Sequence, residues 1–233
     1  MKIKTEKSTY REVMARERNE RKKPVRPNIL FRSLIYILSQ PSMRKTHFSV
    51  REKGMEKLGK KEPCLVLMNH SSFIDLKIAS TLLYPRPFNI ICEADGFVGK
   101  EWIMRQIGCI PTHKFVSETA LVKDMMYTVR TLKSSILLYP EASYSFDGTS
   151  PTPLPESLGK CIKLLKVPVV MIRTYGAFQR DPLYNLLKLR NVDVSADVEY
   201  LLSSVEIASL MISAPLSLPV SPSTTSSGRR RVA

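Results

Sequence analysis

Cys64-Leu-Val-Leu-Met-Asn69-His70-Ser-Ser-Phe-Ile-Asp75 takes a short apolar run straight into a polar turn, and such a run bounded by turn residues predicts a buried strand. The residues that follow, Leu76-Lys-Ile-Ala-Ser-Thr-Leu-Leu-Tyr84, predict a short helix that Asp75 opens as an N-cap or first-turn residue. His70 and Asp75 stand five apart, which on one continuous helix would set them on different faces. They meet only if His70 sits in the turn and Asp75 at the start of the helix. A carboxylate so placed fixes the imidazole tautomer, supports the protonated ring, and leaves the other nitrogen to take a proton from a hydroxyl. A chance pairing in which Asp75 is only a helix cap gives the same spacing.

Working outward, strand and helix patterns alternate on both sides. Residues 4–23 are charged and rich in Ala, Glu and Arg, which predicts a solvated helix ended by Pro24 and Pro27, and a second helix is expected over 29–39. Phe88–Glu93, between Pro87 and Gly96, reads as a strand. Leu121, Val122, Met125, Met126, Val129 and Leu132 recur at helical spacing, so 118–133 is expected as an amphipathic helix whose methionines belong to the core. It feeds the strand Ile136–Tyr139. A helix over 155–166, a strand Val167–Arg173 and a last strand through Val192, Val194, Ala196, Val198 and Tyr200 complete the alternation. The pattern predicts an α/β fold, a mostly parallel or mixed central sheet flanked by helices and preceded by a basic N-terminal helical segment. The expected division is 1–61 basic, helical and membrane-associating, 62–210 the α/β domain, and 211–233 a Ser/Pro/Thr-rich tail without periodicity that is expected to be disordered.

Charge is as localised as the pattern. The chain carries 36 Lys and Arg against 21 Asp and Glu, a net +15 over 233 residues. Residues 1–61 hold 18 of the basic and six of the acidic side chains, and so most of the excess. A basic front segment suits an anionic membrane surface, and in isolation it would suit nucleic acid as well. Ile29-Leu-Phe-Arg-Ser-Leu-Ile-Tyr-Ile-Leu38 tips the reading toward a membrane: it is too short to span a bilayer but able to lie in its interface, or else to pack on the α/β domain. Nucleic acid is not expected as a partner. Met1-Lys-Ile-Lys-Thr-Glu-Lys has neither an apolar stretch nor a cleavage site, so the expected location is the cytoplasmic face of the membrane, bound peripherally. Cys64, Cys92, Cys109 and Cys161 form no C-x-x-C pair and are expected as reduced core residues. No G-x-G-x-x-G, Walker loop, H-E-x-x-H or G-x-S-x-G occurs, so neither a metal nor a nucleotide cofactor is expected.

Ser135-Ile-Leu-Leu-Tyr-Pro140-Glu141-Ala142-Ser143-Tyr144-Ser145 is a second apolar run entering a polar turn, and Val167-Pro168-Val169-Val170 a third strand start. Together with Asn69-His70-x4-Asp75, these blocks resemble the glycerolipid acyltransferase family, which includes 1-acyl-glycerol-3-phosphate acyltransferase. That family's signature is Asn-His-x4-Asp followed by Pro-Glu-Gly-Thr-Arg-Ser. The likeness runs from about Pro63 to Arg173. It implies that His70 is the general base and Asp75 its orienting carboxylate. It also implies substrate-binding roles for Asn69, Gly108, Lys114, Glu141, Ala142, Ser143, Tyr144 and Ser145. Lys114 stands where Arg is usual, and Ala142, Ser143 and Tyr144 replace Gly, Thr and Arg. Arg grips phosphate through a planar fork of donors that Lys copies poorly and Tyr hardly at all, so these departures bear on the acceptor's head group more than on the reaction.

The resemblance implies transfer of an acyl group from acyl-CoA or acyl carrier protein, as co-substrate, to the hydroxyl of a lysophospholipid, first among them 1-acyl-glycerol-3-phosphate, in phospholipid biosynthesis. Backbone N–H groups of the 141–145 turn or the Ser143 hydroxyl are candidates to hold the oxyanion. Trp102 and Tyr84 are candidates to line an acyl tunnel. Two other readings stay open: a thioesterase or hydrolase that uses the same His70 and Asp75 on water, and a noncatalytic basic module that binds lipid or nucleic acid.

Overall fold

The computed structural model describes residues 22–93, 100–112, 119–141, 144–145, 156–180 and 189–213. Its helices are α1 (Ile29–Lys45), α2 (Asp75–Leu83), α3 (Glu101–Gln106), α4 (Thr119–Arg130), α5 (Glu156–Leu165), α6 (Ala177–Arg180) and α7 (Ser204–Ser213). Its strands are β1 (Ser49–Lys53), β2 (Leu65–Met68), β3 (Phe88–Glu93), β4 (Cys109–Thr112), β5 (Ser135–Leu138), β6 (Val169–Tyr175) and β7 (Ser195–Leu202). The strands make one sheet in the order β1-β7-β6-β2-β5-β3-β4. From β6 to β4 the pairings are parallel, whereas β7 runs antiparallel to β6 and β1 follows β7 in parallel. The sheet is therefore mixed.

β2 lies at the centre, and all four of its residues are buried. A strand covered on both faces needs no polar alternation, which explains the unbroken apolar run in the sequence. Cys64, Val66 and Met68 join Met43 of α1 and Ile74, Ile78, Ala79 and Leu83 of the α2 region in one core. Leu65 and Leu67 face the other core, with Met125 and Val129 of α4, Leu158 and Leu165 of α5 and Ile207 of α7. Helices on both faces of the sheet give a three-layer sandwich. Met125 is 2% exposed, in keeping with its expected place in the core. All four cysteines are free, with Cys64 and Cys109 buried.

Several boundaries differ from those expected. The division at residue 61 does not fall at an edge of the sheet, because β1 pairs with β7 from Ser49↔Ser195 to Lys53↔Glu199. Its five residues are all exposed, so it shows no apolar alternation, and it is held instead by ladder bonds and by Arg51–Asp197 and Lys53–Glu199 ion pairs. α1 continues six residues past the expected end at 39, through Pro41. Proline removes one helical donor, but near it Ser39 Oγ donates to Ile35 O at 2.6 Å and Gln40 Nε2 to Tyr36 O at 3.2 Å. α3, β4 and α7 were not anticipated, and α7 carries ordered helix to Ser213, into the expected tail. The expected helix over 4–23 falls almost wholly, and the rest of the tail entirely, outside the described residues.

α1 lies on α2. Ser39, Ser42 and Met43 are buried there, Lys77 Nζ donates to Ser42 Oγ at 2.8 Å, and Tyr36 stacks on Tyr84 with centroids 4.4 Å apart. The opposite face of α1 exposes Leu30, Leu34, Ile37 and Leu38 at 75%, 50%, 62% and 62%. One side of α1 is therefore core, in keeping with the expected packing on the α/β domain, and the other is an apolar stripe at i, i+4, i+7 and i+8 that no described residue covers.

Candidate active site

Parallel strands gather their carboxyl ends on one rim, and in open α/β sheets that rim is where sites are built. β2 and β5 are adjacent, so the turns that leave them, residues 69–75 and 139–145, are neighbours. His70 Nδ1 lies 3.1 Å from Asp75 Oδ2. That same oxygen accepts the backbone N–H of Ser71 at 2.6 Å and of Ser72 at 3.0 Å. Ile74 has the N-cap position of α2 and Asp75 is its first residue, so the carboxylate folds back over the turn instead of capping the helix. The side chain of Asp75 is completely buried and that of His70 is 18% exposed. A carboxylate only accepts, so Nδ1 is the donor and carries the ring's proton. Nε2 then presents a lone pair, with no hydrogen-bond partner among the described residues.

Asn69 fixes where this turn begins. Its Oδ1 accepts the N–H of Thr174 at 2.8 Å and the Thr174 hydroxyl at 3.2 Å, and its Nδ2 donates to Thr174 O at 3.1 Å and to Ser71 Oγ at 3.2 Å. The amide therefore bridges β2 to β6 just past their last paired residues, Met68 and Ile172, from one residue beyond on β2 to two beyond on β6. Asn69 braces the site as a side chain that closes the sheet.

The 139–145 turn approaches from the other side. Ser145 N–H donates to His70 O at 2.8 Å, which removes that amide from the candidate oxyanion donors. Tyr144 stacks on the imidazole with ring centroids 3.7 Å apart and planes at 27°, and Tyr139 stacks with centroids 3.9 Å apart and planes at 17°. Phe73 leans on Tyr144 at 5.7 Å. Burial, then the charge of Asp75, pushes the Tyr139 phenol well above its ordinary range, so it stays protonated. Its hydroxyl is buried with no hydrogen-bond partner among the described residues.

Of the residues singled out in the sequence, Asn69, His70, Asp75, Tyr144 and Ser145 come together, and Glu141 sits in the same turn. Lys114, Ala142 and Ser143 lie outside the described residues. Gly108 does not join them. It precedes β4, and since β4, β3, β5 and β2 run parallel, it stands on the amino rim of the sheet, away from His70. Its φ of +91° and a Cβ position 2.4 Å from Pro27 Cγ explain why glycine is needed there: it forms a left-handed turn against the N-terminal segment. Tyr139, Thr174 and Phe73 are site residues that the sequence reading did not name. The signal available for Tyr139 was its place as the first residue past an apolar strand adjacent to β2.

An α/β sandwich with a carboxylate-held histidine at the carboxyl rim of its parallel strands has the makings of a general-base enzyme that works on a hydroxyl or a water. The comparisons with known proteins narrow the class. A family model described as Acyltransferase matches residues 49–174, more than half of the chain, and the chain belongs to that family. It is an acyltransferase. Among solved structures, the fold is similar to that of the 1-acyl-sn-glycerophosphate (LPA) acyltransferase PlsC from Thermotoga maritima, at a TM-score of 0.58 and 14% identity over 78% of this chain and 77% of that one. No curated protein sequence matches the chain. The match over residues 49–174 takes in the blocks between Pro63 and Arg173 that carry the resemblance to an acyltransferase.

Proposed function

We propose that the protein is a membrane-associated O-acyltransferase that moves an acyl group from an acyl thioester, acyl-CoA or acyl carrier protein, to the hydroxyl of a lysophospholipid, with 1-acyl-glycerol-3-phosphate the first acceptor to test. The observation that carries this reading is the His70 Nδ1 contact with buried Asp75 Oδ2 at 3.1 Å, which leaves Nε2 open at the strand rim. Nε2 takes the acceptor's hydroxyl proton as that oxygen attacks the thioester carbonyl, and Asp75 stabilises the imidazolium. The tetrahedral intermediate then expels the thiolate, which receives the proton back from His70 and leaves as the thiol. No acyl-enzyme is required.

A small, mostly apolar pocket lies between α1, α2 and β3, toward the amino rim of the sheet. Ile35, Leu76, Phe88, Ile90 and Ile107 line it together with Tyr84, and Arg32 and Arg86 bring cationic side chains to it. Trp102 is not part of this lining. It is 68% exposed and meets Phe31 edge to face at 6.0 Å. Its place beside the amino end of α1 sets Trp102 and Ile103 next to the apolar stripe, with Arg44 and Lys45 in the last turn of the same helix. An apolar stripe with basic and aromatic neighbours is the composition of an interfacial helix, and we assign the protein peripherally to the anionic cytoplasmic face of a membrane on that ground. No described helix is long and apolar enough to cross a bilayer. No described cluster of His, Cys, Asp and Glu could hold a metal ion, and the proposed chemistry calls for no cofactor beyond the thioester co-substrate.

The test is thiol release from acyl-CoA and from acyl carrier protein, with and without a panel of lysolipids, followed by mass analysis of the lipid. Release that needs a lysolipid and yields its acylated form supports the transferase, whereas release without acceptor turns the reading toward a thioesterase. For the surface, the Leu34→Glu/Ile37→Glu double variant is expected to lose at least tenfold in binding to anionic vesicles in a sedimentation assay while keeping its fold by circular dichroism.

A further inference from the structure

Asp75 holds His70 by one ring nitrogen, and a single hydrogen bond leaves the imidazole free to roll about that contact. What fixes its plane is aromatic. Two six-membered rings whose centroids lie 3.7 and 3.9 Å from one imidazole, at 27° and 17° to its plane, cannot share a face without overlapping. Tyr144 and Tyr139 therefore cover opposite faces. His70 is open only along its edge, where Nδ1 is already committed to Asp75 and Nε2 is not.

We propose that Tyr139 and Tyr144 are positioning residues for the transfer reaction: a π clamp that holds the imidazole plane, aims Nε2 at the acceptor hydroxyl, and supports the imidazolium through both of its faces. The chemistry lies in the rings and not in the hydroxyls. Tyr139 has its hydroxyl buried without a partner among the described residues, and its burial keeps it a neutral phenol that neither competes for the proton nor pairs with the charged ring. The aromatic face attracts a cation through its quadrupole, so the clamp tightens when His70 gains a proton, at the moment the transition state needs that charge held. Phe73, within the same turn as His70, backs Tyr144 at 5.7 Å and sets the distance of the lid. A cation at position 144, which the family resemblance puts there, would act on His70 in the opposite sense and raise the cost of protonating it.

This inference rests on the transferase reading, so its test has an arm that does not depend on turnover. In the NMR spectrum of the intact wild-type protein the His70 ring protons should be shifted upfield by two stacked rings. They should move downfield in Tyr144→Leu and stay in place in Tyr144→Phe. In the acyl-transfer assay Tyr144→Phe should keep at least half of wild-type kcat, while Tyr144→Leu and Tyr144→Arg should lose about tenfold in kcat with KM for the acceptor within twofold. Tyr139→Phe should be near wild type. Unshifted His70 resonances in the wild type would overturn the clamp even if no acceptor is ever found. So would a Tyr144→Leu variant with full kcat, equal losses in Tyr144→Phe and Tyr144→Leu, or a loss confined to KM.

Discussion

The two turns that meet at His70 are built from different forces. After β2, residues 69–75 are tied by directional bonds: three donors converge on Asp75 Oδ2, and Asn69 makes three contacts with Thr174. After β5, the contact with His70 consists of one backbone bond from Ser145 and the faces of two tyrosines. A hydrogen bond depends steeply on distance and angle, whereas stacking depends on having a flat ring within reach. The first turn therefore depends on the identity of Asn69, His70 and Asp75, and the second on an uncharged ring that reaches the imidazole. Of the three departures from the family pattern in the 140–145 block, the one at Tyr144 supplies a ring that stacks on His70.

The contrast is easiest to break at His70, the proposed base. His70→Ala should lower kcat roughly 10³-fold or more in the acyl-transfer assay, within the range that a general base contributes, and leave the melting temperature nearly unchanged. Asp75→Ala should fall on both activity and stability. Two backbone N–H groups and the imidazole lose their acceptor, so a cost of about 1–3 kcal/mol in urea unfolding and roughly 10²-fold in kcat are expected. Asn69→Ala should cost about 1–3 kcal/mol by the same measurement, because Thr174 N–H is left at the end of β6 without its partner, and its activity should drop less than that of Asp75→Ala. The aromatic turn marks the small end of the series, with Tyr144→Phe close to wild type in both assays. An Asn69→Ala variant as stable as wild type, or a Tyr144→Phe variant as crippled as Asp75→Ala, would remove the distinction between the turns.

The same division decides what was legible in the sequence. β2, α2, β3, α4, β5, α5 and β6 follow from apolar runs, helical periods and Pro or Gly punctuation, because these elements bury whole faces and their residues must show it. β1, Ser49-Val-Arg-Glu-Lys53, is an exposed edge strand held by charge pairs, and nothing in its composition separates it from a loop. β4 is four residues long and contains Pro111, which reads against a strand and is tolerated because β4 lies at the sheet's edge. α7 did carry a signal: Ser203 and Glu206 form a reciprocal capping box, with Ser203 N–H to Glu206 Oε2 at 2.7 Å and Glu206 N–H to Ser203 Oγ at 3.0 Å. At the site, a His and an Asp at fixed spacing can be seen in one line of text. The stacking of Tyr139 and Tyr144 on His70 arises only when β5 is laid beside β2, about seventy residues apart in sequence, and no local pattern announces it.

Gly108 was expected near the substrate and instead marks how the N-terminal segment is stitched to the sheet. Pro27 nests against it, Asn28 N–H donates to Gln106 O at 3.1 Å, and Asn89 Nδ2 donates to Val25 O at 2.8 Å, so residues 25–28 are sewn across the amino rim before α1 begins. The helix with the apolar stripe is thus no pennant on a loose string. Its heading relative to the strands is set, and the distance from that stripe to His70 is a fixed dimension of the molecule. A body that rests on a surface by such a helix has one attitude and one reach. On the proposed membrane placement the helix would act as a depth gauge, and a hydroxyl held higher or lower than the gauge allows would go unacylated however well its head group fitted the site.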